Sequence, residues 1–374
     1  MSTKDLLNKF THAAANPAEL MDKYIKEGRP VVLVAPVYTP EEIIHSMGCV
    51  PMGAWGADIQ INEAKQYFPA FICSIMQSIL ELGIKGVYKG ASAIVIPSLC
   101  DSLKCLGQNW KYGVKDIPFI PMTYPQHRKP DFGHTFTKSG YERVIADLTK
   151  ATGKTFSDEE LGKSIAVYNE HNAVMREFAE VVGAHPEVSV AERSAVFKAG
   201  TFMEKSEHTA LVKELIASLK ADTAAAAKIT VMTSGILADS PALTGIFDDL
   251  GITVVADDVA AESRQYATDT PDRTGDETFL DTLVNKFCNM DNCSVLYDVD
   301  KKRVNMIAEK AAAKKAQGVV VIMTKFCDPE EFDYPLIKKA CDAKGLPCVL
   351  IEVDRQMENM EQARTMLQTF TEML

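Results

Sequence analysis

No stretch of this chain is an unbroken apolar run of the ~20 residues that crossing a bilayer takes. The first ten residues, Met1 to Phe10, carry Lys4, Asp5 and Lys9 and lack the apolar core and cleavage site of a signal peptide. The expected location is therefore the cytoplasm, away from membranes. Basic runs are missing as well, and the net charge is −11. A chain so acidic lacks the cationic stripes that phosphate backbones need, which excludes nucleic acid as a bulk partner. Among nine cysteines no two stand as Cys-x-x-Cys, so the usual zinc pairing has no support. An odd cysteine count without an export signal also argues against a disulfide framework. Reduced thiols or metal ligands are the better reading. Gly153-Lys154-Thr155 imitates the end of a phosphate-binding loop, but the required first glycine is Leu148. No Gly-x-Gly-x-x-Gly follows a strand either, so nucleotide sites of both types are excluded.

What is present is a globular composition, 47% hydrophobic and 24% charged over 374 residues, long enough for two or three domains. The most telling stretch runs from Gly318 to Glu331. Gly318 to Met323 is apolar, β-branched and without alternation, as in a strand buried on both faces of a parallel sheet. Asp328, Pro329 and Glu331 fit the Ncap, N1 and N3 positions of a capped helix. Cys327 then sits at a strand's carboxyl end and at a helix's positive end. Open α/β sheets bind ligands in that crevice, and the dipole there favours a thiolate.

The same logic recurs along the chain. Residues 4–26 read as a helical arm broken near Asn16-Pro17. A strand over 29–35 leads to a helix capped by Thr39-Pro40-Glu41-Glu42 and stopped by Gly48, then to a strand over 50–55. Pro69 opens a helix with Cys73 in its first turn. The buried strand 93–96 ends in Cys100-Asp101, and the strand 118–122 precedes the turn-rich Tyr124 to Pro130. Between Tyr141 and Lys228 the strand signal vanishes, and helices over 161–182, 190–203 and 208–219 replace it. At Ile229 the α/β pattern restarts, with a Ser240-Pro241 cap, Gly251, the strand 252–256, and finally a strand over 348–353 and a helix from about 360. The expected fold is α/β: two related Rossmann/flavodoxin-like lobes with parallel sheets, plus a helical segment between them. The boundaries are 1–27 for the arm, 28–135 for the first lobe, 136–228 for a helical bridging domain, and 229–374 for the second lobe.

Cys73, Cys100 and Cys327 share one expected setting, the start of a helix, and the last two follow directly from buried strands. If the two lobes face each other, three thiols converge on one crevice. Neighbouring thiolates repel, so such a site needs a cation or cluster. An iron–sulfur cluster with an open fourth position suits three cysteines, and buried structural cysteines are the alternative.

Asp101 to Lys111 after Cys100, together with Lys325 to Glu331 around Cys327, resembles the β subunit of the 2-hydroxyacyl-CoA dehydratases. Tyr38 to His45, Gln66 to Phe71, Asp257-Asp258 through Glu262-Ser263-Arg264, and Glu361 to Arg364 agree, in collinear order over essentially the whole chain. The likeness is nearest to the 2-hydroxyisocaproyl-, phenyllactyl- and lactoyl-CoA types. The resemblance implies a heterodimer with a homologous α subunit, each chain holding an oxygen-sensitive [4Fe-4S] cluster on three cysteines, here Cys73, Cys100 and Cys327. It implies a separate ATP-dependent iron–sulfur activator that injects one electron. The (R)-2-hydroxyacyl-CoA substrate then becomes a ketyl radical anion, loses hydroxide and leaves as the (E)-2-enoyl-CoA, with the β cluster relaying the electron to the α-subunit site. No catalytic acid or base is assigned to this chain. The alternatives are a benzoyl-CoA-reductase type subunit and a non-catalytic metal-binding scaffold of the same fold.

Other residues have blander expectations. Cys105, five residues after Cys100, is expected at a buried helix position, with an alternative ligand as the other reading, Cys288 and Cys293 as core or surface thiols, and Cys49, Cys341 and Cys348 as packing residues. His45 is expected to be structural, and His127 lies in a loop at a strand end, either at a site or on the surface. Glu41-Glu42 and Glu330-Glu331 are explained by helix capping. Asp257-Asp258 is expected after a strand, at a substrate or subunit contact or in a solvated loop.

Overall fold

The computed structural model describes residues 1–356 and 359–374. Two four-stranded sheets, wholly parallel, organise it. The first contains β1 (Val31–Val34), β2 (Val50–Gly53), β3 (Ala93–Pro97) and β4 (Phe119–Met122) in the order β2-β1-β3-β4. The second contains β5 (Ile229–Gly235), β6 (Ile252–Val259), β7 (Gly318–Thr324) and β8 (Cys348–Val353) in the order β6-β5-β7-β8. The order is the same in both, so β3 and β7 are equivalent strands and the two lobes are related. Every residue of β7 is buried, as its unalternating apolar run requires, and Val321 pairs with Ser234 on one side and Leu350 on the other.

The helices are α1 (Thr3–Ala15), α2 (Pro17–Lys26), α3 (Glu41–Ser46), α4 (Ser74–Ile84), α5 (Asp101–Gly113), α6 (Asp131–Thr152), α7 (Asp158–Val182), α8 (Val190–Ala199), α9 (Lys205–Ala221), α10 (Pro241–Asp249), α11 (Phe279–Asn289), α12 (Lys302–Ala313), α13 (Asp328–Ala343) and α14 (Glu361–Glu372). The repeat seen in sequence is visible at two glycines. Gly48 and Gly251 follow α3 and α10 at φ +71° and +67°, and a Cβ at either would meet nothing within 4 Å. Backbone handedness, not space, is what asks for glycine there.

The capping expectation for α3 fails. Pro40 occupies its N-cap, while the Thr39 hydroxyl turns back to donate to the Ala35 carbonyl at 2.8 Å. Glu41 instead accepts from the Tyr168 hydroxyl and pairs with Lys205, and Glu42 pairs with Lys286 at 2.6 Å. Both acids are tethers to neighbouring elements rather than caps.

The terminal arm is not a free appendage. Leu6, Leu7 and Phe10 of α1 share one apolar core with Met175 and Phe178 of α7 and Leu215 of α9. Likewise α11 packs into the first lobe, with Phe287 stacked on Tyr124 at 3.8 Å between ring centroids. Sequence order places α11 in 229–374, yet its apolar face is covered by the other sheet's helices.

A buried ion network holds the carboxyl end of the second sheet together. Arg303 of α12 donates to Asp258 of β6 at 2.8 Å, to Glu330 and Asp333 of α13 at 2.8 and 2.9 Å, and to Ser234 of β5 at 2.9 Å. Arg264 reaches Asp258 at 3.0 Å, Glu330 at 3.1 Å and Ser294 at 3.2 Å. The five charged side chains of this network are each no more than 3% exposed. Asp257 and Asp258 therefore lie inside β6, not in a loop, and Asp257 pairs with Arg193. Buried ions tolerate this only because each has several partners.

Two outcomes follow from these contacts. Arg303→Met takes one of two cationic partners from each of the buried carboxylates Asp258, Glu330 and Asp333, so the chain should lose about 3 kcal/mol of stability, read as a lower urea midpoint. A loss under about 1 kcal/mol would mean that the network is water-accessible. The second outcome concerns pH. Burial between α7 and α9 pushes His208 down to about 3 and His171 well below its usual 6.5. The unfolded chain binds those protons first, so stability is full above 6.5 and falls as pH drops toward 3. His208→Phe should roughly halve that slope in a urea titration across pH, leaving the part due to His171. An unchanged slope would contradict it.

Candidate functional site

The carboxyl ends of β3 and β7 each lie beside the point where strand order reverses, β1/β3 and β5/β7. Side chains there are left without a neighbouring crossover helix, which opens a crevice. Cys100 is the N-cap of α5 and Cys327 the N-cap of α13. Cys73 is the N-cap of α4. All three line one cavity of about 620 Å³, into which Gln126, Ser294 and Tyr297 also project. The lobes thus bring together three cysteines separated by up to 254 positions, the distance from Cys73 to Cys327.

Two local expectations shift by a residue or more. Pro69 opens a turn rather than a helix, with the Ile72 N–H bonded to the Pro69 carbonyl at 3.2 Å, and Cys73 precedes the first helical residue. In α13 the cap is Cys327 itself, with Asp328 first and Glu330 third, and the Glu330 and Glu331 N–H groups both bond its carbonyl at 3.0 Å. Glu330 is not a cap but the hub between Arg264 and Arg303. Phe326, just before Cys327, is left-handed at φ +62° and 45% exposed. An aromatic residue adopts that conformation only at a cost of ~1–3 kcal/mol, so the turn is held by its surroundings.

Burial overrides the helix dipole at these thiols. Desolvation pushes Cys73 up, Cys100 up to about 12 and Cys327 well above its usual range. The Glu330 carboxylate and the neighbouring cysteines push Cys327 further, while the N–H groups of α4, α5 and α13 pull each thiol back only in part. Three thiols so placed stay protonated until a cation compensates them. Among the described residues no three His, Cys, Asp or Glu side chains are close enough to enclose a single metal ion.

The remaining candidates fall elsewhere. Cys288 is buried against Thr137 at 3.8 Å, Cys49 faces the Met47 carbonyl, and Cys341 adjoins Cys348. Cys105 is half-buried on α5 rather than fully so. Cys293 is buried behind the crevice, 4.0 Å from Arg264. His45 bonds Ser164 at 2.9 Å and is structural. His127 is exposed at the rim, edge-on to Tyr297 at 5.3 Å. Sequence reasoning missed Arg303 and the crevice wall at Ser294 and Tyr297, because their partners are remote along the chain; only the Glu262-Ser263-Arg264 match pointed there.

The sequence model of the family 2-hydroxyglutaryl-CoA dehydratase, D-component, matches residues 36–374. The (R)-phenyllactyl-CoA dehydratase beta subunit of Clostridium sporogenes is 44% identical over 378 aligned positions covering all of both chains. The lactoyl-CoA dehydratase subunit beta of Anaerotignum propionicum is 42% identical, over 99% of this chain and 98% of that one. The (R)-2-hydroxyglutaryl-CoA dehydratase subunit beta of Acidaminococcus fermentans is 35% identical across the full length of both. A match of this extent includes every element that builds the crevice, from β1 through α14. The chain belongs to the 2-hydroxyglutaryl-CoA dehydratase D-component family.

Proposed function

We propose that this chain is the β subunit of a 2-hydroxyacyl-CoA dehydratase, a hydro-lyase, and that Cys73, Cys100 and Cys327 hold a [4Fe-4S] cluster. The observation that carries the reading is the convergence of three N-cap cysteines from both lobes on one crevice. The donor set fits the group: three soft thiols line one crevice, each at a helix end whose N–H groups favour negative charge. A cluster bound there supplies one-electron transfer. This chain's own residues hold and shield it. The strand ends and helix caps aim the thiols, and the Glu330 tie to two arginines fixes the first turn of α13.

The partners in this reading are a homologous α subunit with its own cluster and an ATP-dependent iron–sulfur activator. In the assembled enzyme the (R)-2-hydroxyacyl-CoA would gain an electron, shed hydroxide from its ketyl form, give up a β-proton to a base outside this chain's assigned residues, and return the electron as the (E)-2-enoyl-CoA appears, so that the net loss is water. An α-hydroxyl opposite a non-acidic β-hydrogen is beyond a protein base alone. A partner at the crevice is supported by its rim, where Val299 and Phe332 are about three-quarters exposed and Phe326 is nearly half so. Apolar side chains left together in water mark interaction surfaces.

Anaerobic purification should give a brown protein with about four iron per chain. Cys327→Ser should lose most of that iron, whereas Cys341→Ser, on the far side of α13's packing, should keep it. Equal iron in both variants would refute the ligand assignment, and a colourless wild type would sink the cluster. Dehydration of a panel of 2-hydroxyacyl-CoA esters should require the added α subunit and activator. Turnover by this chain alone, or ring reduction of an aromatic acyl-CoA in place of dehydration, would overturn the subunit reading.

A further inference from the structure

The far end of α13 brings together two cysteines that the crevice does not use. Cys341 lies in the last turn of that helix, and Cys348 is the first residue of β8. Between them the chain reverses. Gly345 turns it at φ +67°, and the Lys344 and Leu346 N–H groups both bond the Cys341 carbonyl at 3.0 Å. The strand that follows alternates its faces. Val349, Ile351 and Val353 pack on the α14 side of the sheet, with Leu367 and Phe370. Cys348 and Leu350 face the other way, into the apolar cluster that holds Ile337 and Cys341 of α13. The reversal and the strand's alternation thus set one thiol against the other.

Their sulfurs share a hydrogen bond. It holds the Cys341 thiol below its usual range, while the same bond and burial push Cys348 up. The pair gives up one proton easily and keeps the second between the two sulfurs. A thiolate so held is the species that attacks disulfides. Access is one-sided. β8 is an edge strand and Cys348 is half-buried, whereas Cys341 is completely buried. Reaction with an outside reagent has to begin at Cys348, and Cys341 stands behind it to complete the exchange. The pair lies about 20 Å along α13 from Cys327, by the roughly 1.5 Å rise per residue, and neither thiol lines the crevice. The site is therefore independent of the cluster reading.

We propose that Cys341 and Cys348 form a reversible dithiol–disulfide couple, a modification site for low-molecular-weight disulfides. Cys348, as the thiolate, attacks one sulfur of a reagent R–S–S–R. The reagent's S–S bond breaks, and the released thiolate takes the proton of Cys341. The Cys341 thiolate then attacks the Cys348 sulfur, displaces the second RS⁻ and closes the intramolecular bond. Two cysteines are oxidised, one disulfide is reduced to two thiols, and no other oxidant enters.

Trypsin cuts after Lys339, Lys344 and Arg355, so Cys341 and Cys348 leave on separate peptides, 340–344 and 345–355. The test treats the full chain, purified anaerobically, with bis(2-hydroxyethyl) disulfide, blocks the remaining thiols with N-ethylmaleimide, and weighs the digest by mass spectrometry. In most chains the two peptides should appear joined, lighter by two hydrogens than their sum, and dithiothreitol added before blocking should separate them. Cys341→Ser should stop at a mercaptoethanol adduct on Cys348. That adduct in the unaltered chain, with Cys341 free, would overturn the proposal, because the thiols would then be unable to meet. Two peptides carrying only N-ethylmaleimide would overturn it as well, and so would joining seen only after the chain is unfolded in urea.

Discussion

The arrangement at the cysteines depends on the buried tie between Glu330 and the two guanidinium groups of Arg264 and Arg303. Helix α13 begins with an exposed aromatic in a left-handed turn and a proline in its first turn. Neither would hold the helix start in one place. Glu330, one turn in, does so by reaching β6 and α12 through the arginines, with its carboxyl held down to about 2 by their charges. Cys327 is positioned because the residue three places later cannot move. The same carboxylate raises the Cys327 pKa, so the device that aims the thiol also makes its ionisation depend on a cation.

This resolves an opposition visible throughout the site. Helix N-termini favour anions, and three of them point into the crevice, which alone would give reactive thiolates. Burial opposes it at every one of the three, and with the mutual repulsion it wins. A site with dipoles arranged for negative charge and surroundings that suppress it suits a bound cationic centre whose ligands are thiolates only while it is present. Solvent-exposed nucleophilic cysteines are built the opposite way, with the charge stabilised in the free protein.

Much of this was legible in the chain itself, for identifiable reasons. Strands buried on both faces cannot alternate, so β3 and β7 announce themselves as apolar runs, and a cysteine followed by an aspartate after such a run marks a strand-to-helix turn. The glycines at 48 and 251 reveal the repeat because only backbone handedness demands them. What stayed hidden is the part built from distant pairs. Asp258 reads as a loop acid until Arg264 and Arg303 are seen around it, and Glu330 reads as a cap for the same reason. Local rules also misplaced helix starts by a residue or more, since Thr39 and Asp328 have the right chemistry but the backbone gives the cap to Pro40 and Cys327.

The two lobes are not used alike, and the asymmetry bears on how one fold came to hold a site. Each sheet contributes one cysteine from its equivalent third strand, Cys100 and Cys327, as a duplicated frame would. The third ligand candidate, Cys73, belongs to the first lobe alone. It sits on α4, between β2 and β3. The corresponding connection in the second lobe, between β6 and β7, is instead given to α11, which packs into the first lobe, and to α12, which carries Arg303. One copy of the repeat therefore supplies the extra thiol, and the other supplies the charges that fix a thiol in place. Neither lobe could assemble the crevice alone, because the first lacks the arginine network and the second lacks two of the three cysteines.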